Sequence, residues 1–124
     1  MSGIDRKARI REYKENPPPA GVFRIVNTAT GRVLLGASRN VAGRLNRHRF
    51  DLKRGAHADR EMQSDWNALG EGAFEFSMLD PLEPVDEPGY DPAEDLRELE
   101  AMWREKLAES GTPLYGRDDS EGAA

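Results

Sequence analysis

The run from Arg39 to Arg54 carries the residue types best suited to meeting phosphate. It holds Arg39, Arg44, Arg47, Arg49, Lys53 and Arg54 within sixteen positions. A guanidinium is always charged and grips phosphate oxygens two at a time. His48 follows Arg44 by four residues, which on a helix puts both on one face. An imidazole there can share a proton near neutral pH, or serve as a simple donor. A second histidine, His57, lies just beyond the run. The chain has no cysteine, so disulfides and thiolate metal sites are excluded and a reducing compartment is compatible.

Charge is divided along the chain. Residues 1–60 hold 14 Lys and Arg against 5 Asp and Glu, a balance of +9. Residues 61–124 hold 4 against 18, a balance of −14. Such asymmetry points to a basic face able to meet nucleic acid, or to two halves that neutralise each other across one fold. At 124 residues and 37% hydrophobic content the chain suits one domain with a modest core. No apolar run reaches the roughly 18 residues a membrane helix needs, and the N-terminus has no apolar signal core. A cytoplasmic location with no membrane partner is the expectation.

The elements that must position the basic run follow from spacing. Residues 1–19 read as a basic helix or arm, over Ile4 to Lys14, closed by Pro17-Pro18-Pro19. Val22–Val26 and Val33–Ala37 read as a hairpin across Asn27-Thr28-Ala29-Thr30-Gly31. Ser38 or Asn40 caps a helix reaching about Lys53, with Val41, Leu45 and Phe50 among its apolar residues. A second helix spans about Asp59 to Leu69, with Met62, Trp66 and Leu69 at helical spacing. Phe74–Leu79 alternates as a half-buried strand. Four prolines mark residues 80–92 as a loop. Asp91 or Asp95 opens a third helix striped by Leu96, Leu99, Met102, Trp103 and Leu107. Residues 117–124 read as a disordered acidic tail. The expected fold is α+β, a small three-stranded antiparallel sheet flanked by helices in the order β-β-α-α-β-α.

This order resembles the GIY-YIG nuclease family over residues 20–116. Gly21-Val22-Phe23 stands at the first motif, with phenylalanine for tyrosine. Leu34-Leu35-Gly36 stands at the second, with leucine for tyrosine. Arg44 falls on the family's helix arginine, His48 four residues on, and His57 where some members carry another histidine. Glu100, in Leu99-Glu100-Ala101-Met102-Trp103, falls on the helix glutamate. Leu114-Tyr115-Gly116 resembles the closing segment, with glycine where asparagine is common. The Asn46-Arg47-His48-Arg49-Phe50 and Asp65-Trp66-Asn67-Ala68-Leu69-Gly70 segments resemble a bacterial subgroup of short stand-alone domains.

The resemblance implies metal-dependent hydrolysis of DNA phosphodiesters. It assigns phosphate binding to Arg44, a catalytic place to His48, and one Mg²⁺ or Mn²⁺ to Glu100, with Arg44 and Glu100 facing a shared hollow. Arg39, Arg47, Arg49, Lys53 and Arg54 would extend a nucleic-acid-binding surface. Phe23 and Leu34 depart from the pattern, since neither side chain accepts a proton or donates a hydrogen bond. Loss of a general base typically costs about 10²- to 10⁴-fold in rate. Tyr13, Tyr115, His48 and His57 are the residues that could substitute. Trp66 and Trp103 are expected in the core. Three readings stay open: a DNA endonuclease with hydrolysis weakened or lost, a non-catalytic nucleic-acid-binding module, and a domain whose acidic half meets a basic protein partner.

Overall fold

A computed structural model describes residues 18–116 and the backbone of Asp119–Ser120. The N-terminal arm as far as Pro17, and the rest of the acidic tail, lie outside the described residues. The order is β1 (Gly21–Asn27), β2 (Val33–Ser38), α1 (Val41–Lys53), α2 (Arg60–Leu69), a 3₁₀ turn (Glu71–Ala73), β3 (Phe74–Pro81), α3 (Ala93–Glu109) and β4 (Asp119–Ser120). β1 is central, antiparallel to β2 on one side and to β3 on the other. The expected three-stranded antiparallel sheet is therefore present. The two residues of β4 add a parallel pairing to Gly36 and Ala37 of β2, where the sequence reading placed no strand.

The β1–β2 turn forms because Asn27 folds its side chain back on the backbone. Its Oδ1 accepts from the N–H groups of Ala29 and Thr30 at 3.0 and 3.3 Å. Gly31 then takes a φ of +80°, a conformation that strains residues bearing a Cβ. Gly21 meets a different constraint, since a Cβ there would lie 2.4 Å from the Asp80 carbonyl oxygen.

Alternation along the strands splits the core in two. Ile25 and Leu34 pack on one face with Leu52 of α1, Met62 and Trp66 of α2, Phe74 and Tyr115. Val22, Leu35 and Ala37 pack on the other with Leu96, and with the partly buried Leu99, Trp103 and Leu107 of α3. Both faces of β2 are thus covered, and all six of its residues are buried.

The helices differ from the sequence reading in detail. Asn40 is the cap of α1, accepting from the Gly43 N–H at 3.0 Å, while Ser38 Oγ accepts from the Asn40 N–H. Phe50 is 56% exposed and Leu69 45%, so neither is core. The buried side of α1 is Val41, His48 and Leu52. A helix only 13 residues long has room for one buried stripe, and a polar ring occupies the middle of it. Trp66 is buried as expected. Trp103 is half-buried, with its Nε1 donating to Asp80 Oδ2 at 2.7 Å.

Candidate functional site

Strand register brings the two motif positions to the α1 face. Phe23 pairs with Gly36 and Ile25 with Leu34. Phe23 is fully buried, and its ring centroid lies 5.6 Å from that of His48. Leu34 lines a cavity of about 160 Å³ together with Arg44, Arg47, His48, Asp51, His57 and Ala58. A second cavity of about 200 Å³ is lined by Ser38, Asn40, Gly43 and the same two arginines. Arg44 and Arg47 thus border both hollows.

His57 reaches this place through a local reversal. After α1 ends, Gly55 adopts a φ of +75°, and the Gly55 and Ala56 N–H groups bond back to Leu52 and Asp51 carbonyls. The chain then carries His57 back beneath α1. The two imidazoles meet with His48 Nδ1 2.7 Å from His57 Nε2, and their rings stack at 5.0 Å. His57 is fixed from the start of α2. Its Nδ1 accepts from the Asp59 N–H at 3.0 Å, and its own N–H donates to Gln63 Oε1 at 2.9 Å. Gln63 Nε2 donates to the Leu52 carbonyl and to Asn67 Oδ1. Asp59 caps α2 through the Met62 N–H. Sequence reasoning ranked His57 below His48 as a loop residue and missed Gln63. The signal present was Asp59, a cap residue two positions after a histidine.

No family model matches the chain. A stretch of 63 residues is 32% identical to the intron-associated endonuclease 1 of enterobacteria phage T4, covering 51% of this chain and 25% of the phage protein. The chain therefore matches about a quarter of that relative's length. Two solved structures of the catalytic domain of the intron homing endonuclease I-TevI, one a glutamate-to-alanine mutant, share the architecture. Their TM-scores are 0.61 and 0.60 at 25% identity, covering 77% and 79% of this chain and 90% and 99% of those domains. The chain shares the fold of the I-TevI catalytic domain, and this likeness supports a GIY-YIG nuclease family assignment.

The GIY-YIG glutamate position sits in the other layer. Glu100 is buried on α3, one turn after Leu96, and does not line either cavity described above. Its Oε1 accepts from Arg104 Nε at 3.1 Å and from Arg104 Nη2 in a still closer contact. Arg104 Nη2 also lies 3.5 Å from the Leu35 carbonyl oxygen. The helix bearing Arg44 and the helix bearing Glu100 pack on opposite faces of the sheet. Among the described residues no three His, Cys, Asp or Glu side chains are grouped to share an ion. The Glu100 carboxylate is engaged by the Arg104 guanidinium.

The remaining basic residues of the run each have an acidic partner. Arg47 and Arg54 flank Asp51, at 3.3 and 3.5 Å. Arg49 and Lys53 both lean on Glu71, at 3.5 and 3.8 Å, and Arg49 also lies 4.3 Å over the Phe76 ring. Arg39 pairs with Asp91. Arg47 lines a cavity with both Arg44 and His48.

Tyr115 does not replace the missing phenols. It is buried in the α1-side core, its hydroxyl donates to Asp65 Oδ2 at 2.8 Å, and it accepts from Asn27 Nδ2 at 3.2 Å. Burial pushes this phenol up to about 12, and the bond to Asp65 acts in the same direction. A group that holds its proton so firmly is a poor base at neutral pH. Tyr13 lies outside the described residues.

Proposed function

We propose that this domain binds the phosphodiester backbone of DNA at the Arg44 cavity, and that its hydrolytic power is weakened or lost. The supporting observation is the composition of that cavity. Arg44, Arg47 and His48 line it, while Leu34 closes it and Phe23 packs behind His48 where the family motifs carry phenols. The electrostatic parts of a phosphate site are retained and the proton-accepting parts are replaced by hydrocarbon. The phage relative and the I-TevI domain are named as endonucleases, which supports DNA as the ligand.

The binding-only form of this reading draws support from the Arg104–Glu100 pair, because Mg²⁺ or Mn²⁺ would have to displace a bound guanidinium. No helix among the described residues is long and apolar enough to cross a membrane. A cytoplasmic setting in a bacterial cell belongs to the same proposal, as does the option of a basic protein partner for the acidic half.

Two measurements test it. Affinity for a short duplex should fall steeply with salt, and should drop in Arg44→Ala. Absence of binding at low salt would remove the proposal. A plasmid-nicking assay with Mg²⁺ or Mn²⁺ should show little cleavage by the wild type. Robust nicking that vanishes in Glu100→Ala would instead establish an intact nuclease.

A further inference from the structure

We infer that His57 is a positioning residue that locks the tautomer of His48, so that His48 works in its cavity as an Nε2–H donor and not as a base. The N-terminus of α2 fixes the first proton. The Asp59 backbone N–H points at His57 Nδ1 from 3.0 Å. A backbone amide has only a proton to offer, so His57 Nδ1 carries none. A neutral imidazole has one N–H, and in His57 that proton is therefore on Nε2. His57 Nε2 lies 2.7 Å from His48 Nδ1. The bond between them must run from His57 to His48, which makes His48 Nδ1 the acceptor. His48 then holds its own proton on Nε2.

The other assignments conflict with the same distances. Placing a proton on His48 Nδ1 sets two N–H groups head to head at 2.7 Å, unless His57 becomes an imidazolate. Charging His57 sets its Nδ1–H against the Asp59 amide. The rings cannot turn away cheaply, since both are buried. His57 is further held through its backbone by Gln63, and Phe23 abuts the His48 ring. Whatever acceptor His48 meets with its second nitrogen, it meets as a donor. Both residues are thereby removed from the candidates to replace a missing phenol as base. The acceptor class that suits an N–H beside two arginines is a phosphate oxygen. That last step alone rests on the DNA-binding proposal.

The test separates the tautomer from the ligand. The chain has only two histidines, so a long-range ¹H–¹⁵N imidazole spectrum of the labelled full chain contains two ring systems. Near pH 7.5, without DNA, both rings should be Nε2–H tautomers with pyridine-like Nδ1. A protonated Nδ1 on His48 overturns the inference, whatever the DNA affinity. In His57→Gln the side-chain amide can still donate to His48 Nδ1 and accept from Asp59, so the His48 tautomer should persist. In His57→Leu it should become mixed, and duplex affinity should fall by roughly 2- to 10-fold, the worth of about one hydrogen bond. Equal affinity losses for Gln and Leu, with an unchanged His48 spectrum in both, would also overturn it. If the Leu variant does not fold, the wild-type and Gln spectra decide alone. A correct tautomer with no DNA binding would leave the lock standing and remove only the proposed ligand.

Discussion

The two faces of one small sheet set their charged groups in different surroundings. On the α1 side, Arg44 and Arg47 border open cavities, and the buried polar ring of His48 is braced by a second helix through His57. On the α3 side, the buried carboxylate of Glu100 is answered within its own helix by Arg104, four residues on. One layer sets two arginines on the rim of cavities, and the other couples a buried carboxylate to a guanidinium.

The sharpest way to break this comparison is at Arg104. Removing one partner of a buried pair typically costs about 3–5 kcal/mol, and the partial exposure of Arg104 places Arg104→Ala nearer 1–3 kcal/mol. Denaturant unfolding should show that loss. Added Mn²⁺ should raise the melting temperature of this variant and leave the wild type unmoved. A wild type stabilised equally by Mn²⁺ would mean the guanidinium does not close the carboxylate.

Arg44→Ala should cost about 1.5–3 kcal/mol in DNA binding, the range for a hydrogen bond to a charged group, read by anisotropy at low salt. Glu100→Gln should change affinity less than twofold. Equal losses from the two variants would erase the contrast between the layers.

Tyr115→Phe should lower stability by about 1–2 kcal/mol, since it leaves Asp65 and Asn27 short of a buried partner. It also supplies a sign. A phenol near 10 when unfolded and about 12 when folded means that the native state holds the extra proton between those values. Wild-type stability should therefore fall as pH rises from 10 to 12, and this part of the fall should be absent in the variant. The smallest effect is expected at Arg49 and Lys53, whose pairing with Glu71 predicts less than a twofold affinity change on alanine substitution.

Much of the architecture was legible beforehand. β-branched runs around Asn27–Gly31, a cap residue at Asn40 and helical spacing in Met62 and Trp66 are local signals, and local geometry obeys them. Other features depended on packing. Phe50 looks like core by type, yet the short helix turns His48 inward and leaves Phe50 in solvent. The end of β3 came two residues later than the alternation suggested, because Pro81 lies opposite Gly21 at the sheet edge. The Glu100–Arg104 spacing was present in the sequence, but an exposed i,i+4 pair and a buried one look identical there.

Residue order by itself determined the kinds of element, their succession and the chemical vocabulary of the site: arginines, an imidazole, and hydrocarbon at both motif positions. It did so because propensity, capping and turn formation act over a few neighbours. Only the folded chain decided that His57 would brace His48, that Arg44 and Glu100 would stand in different layers, and that Tyr115 would be sealed in the core. Those outcomes depend on contacts between segments distant in sequence, where burial and register, rather than residue type, set which polar groups find one another.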